Sequence, residues 1–377
     1  MSETLRLSFE ENERRSSRET HPNIYGKRKF APEQAKERVE SLISSFKDYY
    51  SSLGYKEEQP VQISSGIDPT VRFVGSHISV LKPYLVGGMV PSPGLFIRQN
   101  CVRTKNADRL LDDDYSPNWG SYFSSIGAIT PPERLDEACN ETLDFFEKQL
   151  GIPLENMLVR INSSDADLLK ACGQRSGLVL EKDSKKFEYY RHKIGIEGIS
   201  GRNFNIALRD PDGKGFSDVG NIIILENSTK QLAIEIALGS TTILKQLYGL
   251  DHVQDCTPVA GLEHIKNEAI RRKFEDAVIT STALYQEGLR PLGQNNRNRI
   301  LKQYVRSLSY FRAKSGISPE CLLKVISDFE KREFPDSSEQ VAEVIVEFVK
   351  AFENELFTKK NLTEDEKKIK KELKSST

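Results

Sequence analysis

The 377-residue chain lacks most of the short signatures that announce a function. It has no GxGxxG fingerprint and no GxxxxGK(S/T) loop, so neither a dinucleotide-binding turn nor a phosphate loop of the usual kind is present. Its five histidines, His21, His77, His192, His252 and His264, form no HxxxH or HxxEH pair, and no two cysteines have zinc-ligand spacing, which leaves a metalloenzyme little support. A lone histidine in such a chain reads as a surface or satisfied core residue. Cys101, Cys139, Cys172, Cys256 and Cys321 are scattered and odd in number, the pattern of reduced thiols. No apolar run approaches the roughly 18 residues of a membrane span, and the polar N-terminus has no signal-like apolar core. A soluble, cytoplasmic protein is expected. The formal net charge of −1 requires any nucleic-acid surface to be a local patch.

What is present has ordinary globular composition, with 37% hydrophobic and 29% charged residues, in a length sufficient for two or three cores. Residues 1–33 read as a flexible polar arm. From Pro32, Val39, Leu42, Ile43, Phe46, Tyr50 and Leu53 recur at helical steps until Gly54. A second helix is expected from Thr130–Pro131 to Gly151, with Leu135, Ala138, Cys139, Thr142, Phe145, Phe146 and Leu150 on one face. Between them, 70–75 and 95–103 have strand character. Segments 157–161, 204–210, 221–227 and 232–238 are β-branched strands, and short turns between successive strands imply antiparallel pairing. From about His264 the pattern is helical. The expected architecture is α+β: an antiparallel sheet flanked by helices over 34–255, an all-helical region over 256–358, and a charged tail over 359–377 that is frayed or disordered.

Two constellations suggest chemistry. Residues 290–314 hold Arg290, Arg297, Arg299, Lys302, Arg306, Arg312 and Lys314 with no acid in between. Arg299, Lys302 and Arg306 share a helix face, while Asn295, Asn296 and Asn298 offer amides and Tyr304, Tyr310 and Phe311 offer rings. A charge run is usually a solvated face, but the absence of acids over the whole window favours a phosphate-backbone site. The second is a strand carrying Arg98 and Arg103, then an acidic loop, then a return strand with Trp119, Tyr122 and Phe123. Such a hairpin can hold a phosphate against an arginine, although spacing alone favours a pairing of that arginine with Asp112, Asp113 or Asp114.

The segments DPTVRFVGSHISVLKPYL (68–85), QNCVRTKN leading to SYFSSIG, and GLRPLGQNNRNRILKQYVRSL resemble, in order and spacing, consecutive parts of the alanyl-tRNA synthetase family. The likeness covers roughly 35–355, the class II catalytic core and helical tRNA-recognition region, without the editing and C-terminal domains. It implies that Arg103 binds the ATP α-phosphate and the amino-acid carboxylate, and that Phe123 lies where adenine stacks. Glu235 would replace an aspartate that holds the substrate ammonium, with Gly239 beside it in the amino-acid site. Asn295, Asn296, Arg297, Arg299, Lys302 and Arg306 would contact tRNA, and ATP with Mg2+ would be the cofactors, with no structural metal.

Three departures qualify that picture. Thr242 stands where the family has the arginine that clamps the γ-phosphate, Ser124–Ser125 replace a Glu-Met pair that helps to read adenine, and GIEGISGRNFN (195–205) lacks the cysteines and glutamate of the family's glycine-rich segment. A lost clamping charge costs several kcal/mol of transition-state stabilisation, each ~1.4 kcal/mol being tenfold in rate. The first expectation is a ligase that activates a small amino acid with ATP and passes it to tRNA or another acceptor. The alternative is a paralogue without ATP activation, acting as a tRNA-binding protein or as a transferase that uses aminoacyl-tRNA.

Overall fold

A computed structural model of the protein describes residues 29–172 and 175–375. Except for its last residues, the expected N-terminal arm lies outside this set. Helix α1 (Pro32–Ser52) starts on a proline, whose missing N–H costs nothing in a first turn, and buries Leu42, Ile43, Phe46 and Tyr50. Gly54, at φ +85°, turns the chain out of it.

Among the described residues nine strands form one sheet: β1 (Lys56–Glu57), β2 (Leu95–Val102), β3 (Tyr122–Thr130), β4 (Met157–Ile161), β5 (Val179–Lys182), β6 (Arg191–Lys193), β7 (Ser200–Arg209), β8 (Phe216–Glu226) and β9 (Gln231–Gly239). Their spatial order is β1-β2-β3-β9-β8-β7-β4-β5, with β6 beside β7. The β1–β2 and β4–β5 pairs are parallel and the others antiparallel. The expected α+β class, with its largely antiparallel sheet, is therefore observed.

Strand alternation divides large from small side chains. On β9, Ile234, Ile236 and Leu238 enter the core beneath the sheet with Phe46, Phe96, Phe145 and Ile222. Glu235, Ala237 and Gly239 face the other way. On β3, Ile126 and Ala128 join that core, whereas Phe123, Ser125 and Gly127 share the opposite face. The centre of this upper face thus carries small or polar residues where bulky aliphatics would fill the space.

Helix α2 (Ile78–Gly87) covers one end of the upper face, burying Leu81 and Leu85 against Ile97 and Ile223. Helix α3 (Leu135–Asp144) lies below and continues as a π-helical turn through Phe145–Gln149. The helix expected from Thr130 begins later than its sequence signal, because Thr130 completes β3 and spends its hydroxyl on Pro93 O. Residues 70–75 are not a strand: Thr70 N and Oγ1 both donate to Asp68 Oδ1, and this local turn replaces ladder pairing. The short helices α4 (Ala166–Cys172) and α5 (Ser240–Tyr248) complete the sheet layer.

The C-terminal region is helical: α6 (Glu268–Gln286), α7 (Asn296–Lys314), α8 (Pro319–Glu333), α9 (Ala342–Thr358) and α10 (Glu364–Ser375). Helix α10 lies within the tail expected to be frayed, and it is ordered because Ile369 and Leu373 insert into the helical core. That core also takes in Phe73, Val102, Ala107 and Leu110, so the helices pack directly on the β2–β3 connection. At the seam, buried Asp276 of α6 accepts from Ser121 N at 2.6 Å, Ser121 Oγ at 2.6 Å and Asn106 Nδ2 at 3.0 Å. Among the described residues no helix is long and apolar enough to cross a membrane.

Candidate active site

The small side chains at the centre of the upper face leave room for two adjoining cavities. The first, about 270 Å³, is lined by Arg103, Phe123, Ser125, Asn221, Gly239 and Thr242 among others. The second, about 710 Å³, includes Asp68, Lys82, Arg103, Lys193, Asn221 and Glu235 in its wall. Ser76, Arg103, Asn221 and Ala237 belong to both, so the two form one cleft.

Arg103 follows β2 directly, where its N donates to Ser121 O at 2.9 Å and fixes the hairpin. Its Nε donates to Gly75 O at 3.0 Å, and its guanidinium carbon lies 4.9 Å from the Phe123 ring centroid. No ion pair with a carboxylate forms at Arg103 among the described residues. Two of the three loop acids that spacing offered as partners are taken by others: Asp112 by Arg109, and Asp113 by Lys314 and Lys368. Arg103 therefore presents unused donors to the cleft. Arg98, on the opposite face of the strand, pairs with Glu40 at 3.2 Å.

Glu235 lies 2% exposed on the cleft floor. Burial pushes its carboxyl up to about 8, against the opposing charge of Lys82. Its nearest cationic or imidazole neighbour is His77, whose Nε2 is 3.4 Å from Glu235 Oε1. His77 is wholly buried, and burial, followed by the charge of Arg103, pulls it down to about 4, so the imidazole is neutral at pH 7. Its Nδ1 is 2.9 Å from Ser125 Oγ. Lys82 is committed to Asp68 at 2.6 Å. Burial raises the Asp68 carboxyl, but hydrogen bonds from Lys82, Thr70 and Ser79 leave it below the usual carboxylate range.

The structure thus brings Arg103, Phe123, Glu235 and Gly239 together and adds three residues that sequence reasoning did not select: His77, Ser125 as a site group, and Asn221. One signal was available in Gly127, a glycine inside a strand. A Cβ there would come within 2.3 Å of His77 Nε2 and 2.4 Å of Ile236 O, so the imidazole lies directly on the backbone of β3. Thr242 turns its Oγ1 back to Gly239 O at 2.8 Å.

The first cavity offers little charge to ATP with Mg2+, whereas the second adds Arg72, Lys82, Lys105 and Lys193 to its wall. Among the described residues lining the first cavity, Arg103 is the one cation, and the one acid, Asp218, is engaged by Arg160 at 2.5 Å. A triphosphate there would keep most of its charge uncompensated.

The basic window of α7 divides in two. Arg290, Arg306, Arg312 and Lys314 meet Glu339, Glu366, Glu353 and Asp113, acids distant in sequence. Arg297 Nε donates to Arg72 O, and Asn295 Oδ1 caps the helix by accepting from Arg297 N. Tyr304, Tyr310 and Phe311 are core residues, so the expected rings for nucleic acid are not at the surface. Arg299 and Lys302 have no ion pair among the described residues. With Arg72, Asn296, Gln303, Arg306 and the acids Asp108 and Asp365 they line a third cavity of about 410 Å³ beside the β2–β3 connection, which meets the second at Arg72 and Thr104.

No family model matches the chain. Curated relatives are alanine–tRNA ligases: that of Acetivibrio thermocellus is 23% identical over 162 residues, 42% of this chain and 18% of its own length. That of Treponema denticola is 28% identical over 138 residues, 34% of this chain and 22% of its own. The matched stretch therefore spans about a fifth of these relatives. Solved structures that superpose include apo histidyl-tRNA synthetase of S. aureus, with a TM-score of 0.38, 11% identity, and 60% and 74% of the two chains covered. A putative threonyl-tRNA synthetase of Aeropyrum pernix gives 0.37 and 11%, with 77% and 70% covered. Superpositions of that quality carry no argument about this chain's chemistry.

Proposed function

We propose that the cleft is an aminoacyl site of the class II synthetase kind from which triphosphate activation has been lost. The protein binds tRNA charged with a small amino acid and moves the aminoacyl group to another acceptor. Arg103 supports this reading as an unpaired guanidinium shared by both cavities. It is the donor fork for a carboxylate-derived carbonyl or a terminal phosphate. Glu235 holds the amino group: a buried carboxyl with its pKa raised by burial becomes ionised when an ammonium arrives beside it. Asn221 supplies a neutral amide on the shared wall. Arg299 and Lys302 would take phosphates of the RNA that delivers the aminoacyl end.

The observation that carries the choice is the charge of the first cavity, where Arg103 is the one cation among the described lining residues and Thr242 donates its hydroxyl to Gly239 O. An ATP-dependent ligase is the second reading, favoured by the sequence likeness to alanine–tRNA ligases. Amino-acid-dependent exchange of pyrophosphate into ATP decides between them. The transferase reading expects no exchange with any of the twenty amino acids, whereas exchange that disappears in Arg103→Ala would restore the ligase.

A further inference from the structure

Ser125 and His77 carry chemistry that amino-group and carboxylate binding leave unused. Ser125 Oγ is 2.9 Å from His77 Nδ1 and belongs to the wall of the first cavity. The other ring nitrogen faces Glu235 Oε1 at 3.4 Å, and Glu235 belongs to the wall of the second. The imidazole thus lies between the two cavities. Its Nε2 is buried, with Ile236 O beside it and the Glu235 carboxyl in front of it. Gly127 is what lets the ring lie on the strand, since any Cβ would occupy the same space. Alternation along β3 places Ser125 next to Phe123 on the cleft face, and the Phe123 ring carries the Arg103 guanidinium. A hydroxyl, a neutral imidazole and a carboxylate in file is the arrangement by which a serine is activated as a nucleophile, and Glu235 supplies the carboxylate once an ammonium beside it has ionised it. A contact that only filled the core would need neither a hydroxyl in the cavity wall nor a carboxyl behind the ring.

We propose that Ser125 accepts the aminoacyl group as an ester, with His77 as its general base and Glu235 holding both the imidazole and the amino group. This rests on the aminoacyl-transfer reading of the cleft and extends it to a two-step, covalent route. An aminoacyl group whose ammonium sits on Glu235 has its carbonyl carbon two bonds away, along the imidazole edge toward Ser125. Ser125 Oγ attacks that carbon while its proton passes to His77 Nδ1, and Arg103 is the cation available to the oxyanion. The bond from the carbonyl carbon to the ribose oxygen then breaks, and this oxygen takes the proton from His77. In the second half an acceptor amine attacks the Ser125 ester and gives its proton to His77. The carbon–Oγ bond breaks and Oγ recovers a proton. Nothing is oxidised or reduced.

The test uses the full chain mixed with total tRNA charged with a mixture of radiolabelled amino acids, quenched in acid, with protein-bound label located by peptide mass spectrometry. Wild type is expected to carry an aminoacyl ester on Ser125. Ser125→Ala should carry none, Ser125→Cys should carry a thioester released by neutral hydroxylamine, and His77→Asn should label about 10²–10⁴-fold more slowly. Thermal unfolding of each variant shows whether it is folded, and Ser125→Ala and Ser125→Cys are small enough changes to keep the test valid if His77→Asn is not. Filter binding of the same charged tRNA separates the two levels of inference. Binding without protein-bound label, or label that persists in Ser125→Ala, overturns the serine nucleophile and leaves the aminoacyl site standing. Neither binding nor label overturns both.

Discussion

Replacing Glu235 by Gln should make the protein more stable at pH 8 while abolishing the site. In the folded chain burial raises this carboxyl from 4.5 to about 8, so between those values the folded state keeps a proton that the unfolded chain has lost. Each such pH unit costs the folded state about 1.4 kcal/mol. The contribution is fully present below pH 4.5 and is lost as pH rises toward 8, a total on the order of 5 kcal/mol. Gln keeps the shape and carries no titrating proton. Urea unfolding from pH 5 to 8 should therefore show wild-type stability falling relative to Glu235→Gln by about 1.4 kcal/mol per unit. Glu275, pushed up to about 7 by burial, titrates in the same window, so the wild-type minus variant difference is the quantity to read. Parallel pH profiles, or a variant that loses ground as pH rises, would refute a protonated, desolvated Glu235.

Three further outcomes follow from the geometry. Gly127→Ala puts a methyl 2.3 Å from His77 Nε2 and should lose about 1–3 kcal/mol in urea unfolding, as overpacking does; an unchanged midpoint would mean that the imidazole does not lie on β3. Asp276→Ala leaves Ser121 N, Ser121 Oγ and Asn106 Nδ2 without their buried acceptor and should cost about 3 kcal/mol, with faster proteolysis between the sheet and the helices; a loss under 1 kcal/mol would show the seam to be wet. Arg299→Ala with Lys302→Ala should lower the log–log salt dependence of tRNA binding by about 1.4–1.8, whereas Arg306→Ala, already paired with Glu366, should change it little. Equal effects would remove the distinction drawn between paired and unpaired cations.

The long strands were legible because both faces of this sheet are covered over most of its area, which makes 221–227 and 232–238 almost continuously apolar, whereas 70–75 was read as a strand and the short β1, β5 and β6 were not read at all. The helices were legible from their stripes. Pairing with distant elements was not. The acid-free window 290–314 looked open to phosphates, yet Glu339, Glu353, Glu366 and Asp113 fold onto it. Its Tyr304 and Phe311 are core residues because helical periodicity does not say which face a neighbouring helix will cover. Arg103, Phe123, Glu235 and Gly239 were selected by resemblance and do meet in one cleft. His77 was passed over as a lone histidine, since Gly127 signals a close approach to β3 without saying which residue makes it. Helix α10 was hidden by composition: two aliphatics among many charges suffice once they meet an existing core.

In the proposed reading the cleft holds an aminoacyl group by its amino end. That reading is tested most directly by comparing the affinity of the protein for one tRNA with and without its small amino acid attached. A charge-assisted hydrogen bond to Glu235 is worth about 1.5–3 kcal/mol, so the charged form should bind roughly ten- to a hundredfold tighter, and Glu235→Gln should erase the difference. Equal affinity of the wild type for charged and uncharged tRNA would contradict the account.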